Sequence, residues 1–187
     1  MPARIATLAW GSLLWDDSAP FHKHHRGWRK DGPRLKIEYS QIASPAEDGL
    51  ALVLDPEHGA KCQVAYCYSR RAHVEDAICD LQSREETVRA NMGYILFDRD
   101  EIQGRHLEAI EEIRAWGLRR RLRAVLWTDT PSNFAESQKR PFSVQAALTY
   151  IRQQTPQTKS KVAEYVWRSP DFVKTPLRAA LQKRPWF

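Results

Sequence analysis

Two stretches of this 187-residue chain hold groups that can do chemistry together. The first is the loop Trp10-Gly11-Ser12-Leu13-Leu14-Trp15, at the end of an apolar run beginning at Ile5. Backbone N–H groups of a tight loop can hold an anionic or carbonyl oxygen, and Gly11 has no side chain to block the approach. The second is Glu85. Val74, Ala77, Ile78 and Leu81 fall at i, i+3, i+4 and i+7 and form an amphipathic stripe. At about 100° per residue, Glu85 lies roughly 20° from Val74 around the axis. A carboxylate at the end of a core-facing stripe must be hydrogen-bonded, or have a raised pKa, or serve chemistry. The competing reading is that the helix has ended by Arg84 and Glu85 is an exposed ion pair. A carboxylate of raised pKa moves a proton near neutral pH. Loop and carboxylate then make a minimal acid–base site with an anion cradle.

The elements that must position them are these. Ile5 to Ala9 is an unbroken apolar run, as in a strand buried on both faces, and Asp16-Asp17 ends it. A basic loop, Phe21 to Lys30, follows; Trp28 is read as its aromatic anchor to the body. Arg34 to Ala43 reads as a strand with Ile37, Tyr39 and Gln41 on one face and Lys36, Glu38 and Ser40 on the other. Leu50 to Leu54 and Lys61 to Ser69 read as strands of an antiparallel hairpin, joined by the turn Asp55-Pro56-Glu57-His58-Gly59. After the Val74 helix come a strand at Gly93 to Phe97, a helix at His106 to Trp116 stopped by Gly117, and a buried strand at Ala124 to Trp127. Thr130 to Arg140 reads as a loop. Ser143 caps a helix with the stripe Val144, Ala147, Leu148 and Ile151. A connector, Gln153 to Lys159, precedes a short helix through Val162, Tyr165 and Val166, and Thr175-Pro176 starts a last helix, Leu177 to Lys183. Tyr94, Trp127 and Tyr150 are read as core residues. This order lacks strict βαβ alternation and predicts an α+β domain with a mixed, mostly antiparallel sheet curled into a barrel.

Composition narrows the classes. With 42% hydrophobic and 28% charged residues the chain is globular, and at 187 residues it is read as one domain, 1–187, turning helical from about 140. No apolar run is long enough to span a bilayer and no cleavage signature follows the first strand, so a cytoplasmic protein is expected. Cys62, Cys67 and Cys79 are odd in number, lack C-x-x-C spacing and read as buried thiols. His22 and His25 have no acidic or cysteine partner at ligand spacing, so no metal is expected. No Walker loop, dinucleotide fingerprint, G-x-S-x-G or H-E-x-x-H occurs, and no cofactor is expected. The net charge of +6 suits an anionic partner.

Trp10-Gly11-Ser12-Leu13-Leu14-Trp15 resembles the Tyr-Gly-Ser-Leu-x-Trp signature of the γ-glutamylcyclotransferase-like (ChaC/AIG2-like) superfamily, the closing Trp being typical of the ChaC branch. Arg84-Glu85, after a hairpin and at the end of a helix, resembles that family's Arg-Glu, whose Glu is the catalytic acid/base. The resemblance covers about the first half of the chain. It departs at Trp10, where the family has Tyr, and at Glu86-Thr87, where the family often has a glycine-containing continuation. It implies a transferase- or lyase-type enzyme of glutathione metabolism that cyclises a small anionic γ-glutamyl peptide or amine to 5-oxoproline. By the resemblance, Trp10, Gly11, Ser12 and Leu13 bind the glutamyl end and Glu85 moves the proton. A non-catalytic relative that binds a small ligand or a protein is the second reading. A nucleic-acid-binding protein is the third and least favoured. It needs the basic runs Lys23 to Lys30 and Arg119 to Arg123 on one face.

Overall fold

A computed structural model of the chain describes residues 4–16, 20–43 and 49–184; Asp17, expected to help end the first apolar run, lies outside the described residues. The fold is α+β. Among the described residues the strands are β1 (Ile5–Ala9), β2 (Arg34–Ile42), β3 (Leu50–Leu54), β4 (Ala60–Gln63), β5 (Ala65–Tyr68), β6 (Met92–Leu96), β7 (Glu101–Gln103) and β8 (Ala124–Thr128). The α-helices among the described residues are α1 (Val74–Arg84), α2 (Leu107–Arg119), α3 (Phe134–Gln138), α4 (Val144–Gln153), α5 (Pro156–Arg168) and α6 (Pro176–Leu181). Among the described residues no helix is long and apolar enough to cross a membrane.

The chain divides into two compact units, each made of two segments: 1–35 with 63–130, and 36–62 with 131–187. The first unit holds a five-stranded mixed sheet in the order β5-β1-β8-β6-β7. β1 and β8 run parallel, with Thr7 opposite Leu126, while β5 on β1, β6 on β8 and β7 on β6 are antiparallel. One face of this sheet presents Ile5, Ala9, Cys67, Met92, Tyr94, Leu96, Ala124 and Leu126, and the α1 stripe of Val74, Ala77, Ile78 and Leu81 packs on it. Every residue of β1, β5 and β6 is buried, so the unbroken apolar run of β1 reflects cover on both sides.

The second unit holds a sheet in the order β3-β2-β4, with α3 to α6. Asn133 acts there as an added strand partner: its Oδ1 accepts from Ile42 N–H at 2.7 Å and its Nδ2 donates to Ile42 C=O at 3.0 Å. Ser143, Thr155 and Thr175 each cap a helix by accepting a first-turn N–H.

Several expectations are corrected. The sheet does not curl into a barrel: among the described residues neither sheet closes, because the end strands β5 and β7, or β3 and β4, do not pair with each other. β3 and β4 are not a hairpin. They flank β2 on opposite sides, and the expected strand Lys61 to Ser69 breaks at Val64 into β4 and β5, which belong to different sheets. The turn chemistry between them is real, since Asp55 Oδ1 accepts from the N–H groups of Glu57 and His58, but the connection passes against β2. A Cβ at Gly59 would stand 2.7 Å from the Ile37 nitrogen.

Gly117 does not stop α2, which runs on to Arg119. It is a contact point instead, because a Cβ there would meet the Phe97 ring at 2.5 Å. The expected loop Thr130 to Arg140 contains α3, and the connector after α4 is cut short by α5, which starts at Pro156. Cys62 and Cys67 are buried as expected, but Cys79, on the outer side of α1, is exposed.

Candidate active site

All the residues singled out for chemistry belong to the first unit. β1 ends at Ala9, and Trp10 stays buried at the sheet end. Gly11 then leads into a single 3-10 turn, Ser12–Leu14. Gly11 C=O accepts from Leu14 N–H at 3.0 Å, and Ser12 C=O accepts from Trp15 and Asp16 N–H at 3.0 and 2.9 Å. The N–H groups of Ser12 and Leu13, in the first turn, find no backbone acceptor among the described residues. The reason for the turn lies in Leu13, whose side chain enters the core between the sheet and α1 and pulls the chain over. Gly11 has φ −119°, so it needs no left-handed backbone.

On the other side of that core, α1 ends at Arg84 and Glu85 is its C-cap, with its N–H donating to Leu81 C=O at 3.0 Å. Glu86 follows with φ 47°, a left-handed helix terminator. The Glu85 side chain is 19% exposed and Arg84 only 9%. The Arg84 guanidinium joins the two parts of the site. Nη1 donates to Glu85 Oε1 at 3.4 Å, and Nη2 donates to Asp16 Oδ2 at 3.2 Å, so one cation bridges the helix end to the end of the Gly11 turn. His22 Nε2 donates to Asp16 C=O at 2.7 Å and fixes the same corner from the basic loop. Arg84 Nε is buried with no partner among the described residues.

Glu85 is therefore half-buried and ion-paired, between the two readings its sequence position allowed. Arg84 and Asp16 are the residues that sequence reasoning missed. On helical geometry Arg84 points away from the stripe, but its long side chain reaches back along the helix end. Asp16 carried no signal beyond its place after the loop.

Other candidates are structural. His25 Nδ1 donates to Phe21 C=O, and its ring stacks on Phe21 at 3.5 Å between centroids. Trp28 packs against the core as the anchor of its loop. Tyr94 and Trp127 are buried in the first unit and Tyr150 in the second. Among the described residues no three of His, Cys, Asp or Glu are grouped as a metal ion would require. No model of a protein family and no curated protein sequence matches the chain.

Proposed function

We propose that the protein is a γ-glutamylcyclotransferase-like enzyme that converts a γ-glutamyl peptide or amine to 5-oxoproline and a released amine. The observation that carries the reading is the Arg84 bridge, which joins the carboxylate of Glu85 to Asp16 at the end of the Gly11-Ser12-Leu13 turn. A second observation supports it. Glu86 holds φ 47°, a conformation glycine adopts without penalty, at the place where the resembling family often has its glycine. The reading takes with it the family's fold and a cytoplasmic site of action, in keeping with three cysteines that are all free thiols.

In this reaction the free α-amine of the glutamyl group attacks its own side-chain γ-carbonyl. A C–N bond forms to close the five-membered ring, and the γ-amide C–N bond breaks. Both reacting groups belong to one molecule, so holding the folded conformer supplies much of the acceleration. The first-turn N–H groups of Ser12 and Leu13 would bind the glutamyl α-carboxylate. Glu85 would take a proton from the ammonium and return one to the departing amine. Arg84 would position Glu85 and offset part of the negative charge that Glu85 and Asp16 bring to the corner.

The test is an assay for 5-oxoproline over a panel of γ-glutamyl peptides and amines, including glutathione. Wild-type protein should turn over at least one of them, and Glu85→Gln should be slower by about 10²–10⁴-fold. Turnover unchanged in Glu85→Gln would falsify the role given to Glu85.

A further inference from the structure

A group of arginines surrounds the edge strand β5, away from the residues discussed so far. The Arg4 guanidinium lies 4.3 Å from the centre of the Tyr68 ring, and that of Arg29 lies 5.5 Å from the same ring. Their charges are thus within about 10 Å of each other, close to the screening length of about 8 Å at physiological ionic strength. Two more arginines are tied to the same strand end through their backbones. Arg26 N–H donates to Tyr68 C=O at 2.9 Å, and Arg70 N–H donates to His24 C=O. Arg4, Arg26, Arg29 and Arg70 are all exposed. Among the described residues none of the four has a carboxylate within ion-pair distance.

Three other arginines of the same unit are paired with carboxylates. Arg71 pairs with Asp80, Arg120 with Asp31 and Arg123 with Asp98. The second basic run is tied to the first, because Arg120 also donates to the Tyr66 hydroxyl and lies 5.0 Å over its ring. Tyr66 in turn exchanges backbone hydrogen bonds with Arg29. The two runs therefore meet along β5. In the second run Arg120 and Arg123 are ion-paired; in the first, with Arg4 and Arg70, the arginines make no ion pair among the described residues, and Asp31 acts on Arg29 only from beyond ion-pair distance.

We propose that Arg4, Arg26, Arg29 and Arg70 around Tyr68 form a binding surface for the phosphodiester backbone of single-stranded nucleic acid, without sequence preference. Guanidinium groups suit phosphate oxygens, and a cluster of cations without ion pairs attracts a polyanion. Of the aromatic residues among these cations, Tyr68 is buried and Trp28 packs against the core, so recognition rests on the backbone and not on base stacking. A membrane surface fits less well. The large exposed apolar side chains of this unit, Val88, Ile102, Leu107 and Leu118, belong to none of the segments that carry the four arginines. The surface is independent of the proposed cyclisation and uses none of its residues.

The experiment is fluorescence anisotropy of the full chain with a labelled oligouridylate, across a salt series. Four phosphate contacts to a single strand predict about a 50-fold loss of affinity between about 50 and about 200 mM salt. Replacing all four arginines by Gln should weaken binding at low salt and reduce the log–log slope by about 3. Replacing them by Lys should restore most of that slope, which separates lost charge from a lost fold. Arg114→Gln, at an exposed arginine paired with Asp100 on α2, should bind as wild type. The proposal is overturned by absence of binding at the lowest salt, by a slope unchanged in the Gln variant, or by binding to phosphatidylserine vesicles without binding to the oligonucleotide.

Discussion

His25 is held neutral by the fold. Burial lowers its pKa from 6.5 to about 4; the hydrogen bond to Phe21 C=O and the charge of Asp80 oppose that shift and do not overcome it. The unfolded chain takes up a proton at this ring near pH 6.5, while the folded chain resists until about pH 4. The unfolded state therefore binds more protons through this window, and stability rises with pH across it. The contribution is complete above pH 6.5 and is lost as pH falls toward 4. Its full size is about 3 kcal/mol, of which about 2 kcal/mol has gone by pH 5. Urea unfolding of wild type and His25→Gln at pH 7 and pH 5 measures this. Gln keeps an N–H for Phe21, so the variant should be less stable at pH 7 but flatter with pH. Parallel loss of stability in the two proteins would remove His25 as the cause.

Glu38 shows how far residue type alone can mislead. Its place on a strand with Lys36 and Ser40 reads as a polar face. In the fold it is fully buried, with Oε1 accepting from Tyr39 N–H at 2.8 Å and Oε2 from Leu177 N–H at 3.2 Å, in the first turn of α6. Burial raises its pKa, and these hydrogen bonds, with one from Thr175, pull it back. Nothing within β2 announces that a helix start about 140 residues later will supply those donors. Glu85 was found because its partner surface, the α1 stripe, lies in the same helix and repeats with the helix's own period.

At the scale of elements the legible features were local ones. The α1 and α4 stripes, the Ser143 and Thr175 caps and the apolar runs of β1 and β8 follow from spacing and chemistry within a dozen residues. Thr155-Pro156 carries the same cap signal as Thr175-Pro176 and marks the true start of α5. Strand partners were not legible, since β3 and β4 pair with β2 and not with each other, and pairing is decided by distant segments.

Glycines whose role is close contact were also hidden. Gly93 on β6 lies opposite Trp127 on β8, and a Cβ at Gly93 would fall 2.0 to 2.5 Å from three indole atoms. Trp127 is completely buried, and Gly104 also lies close to its ring, so the indole has little room to shift. Gly93→Ala should therefore cost about 3 kcal/mol, more than strand propensity returns. Gly27→Ala should be near neutral, because nothing lies within 4 Å of a Cβ there. Thermal unfolding compares the two. Equal midpoints would show that the Trp127 slot yields easily.

At the scale of the whole molecule, the two units are each discontinuous in sequence. The second unit takes its sheet from 36–62 and its helices from 131–187, so neither segment buries its apolar surface without the other. Cys62 and Lys174 exchange contacts across that gap, Tyr39 donates to Ser169 Oγ at 2.8 Å, and Glu38 caps α6. The first unit closes on 1–35 and 63–130, and among the described residues its sheet and the core beneath α1 are built from positions before Thr130. Stopping the chain after Thr130 should therefore damage the units unequally. Glu38 would lose the Leu177 donor and keep a carboxylate facing apolar neighbours, and the unpaired charge adds to the lost cover. Amides of β3 and β4 should lose most of their hydrogen-exchange protection in the shortened chain. Those of β1, β6 and β8 should stay within about tenfold of their values in the full chain, since local opening follows local burial. Protection lost equally in both sheets would mean that the chain unfolds as one cooperative body.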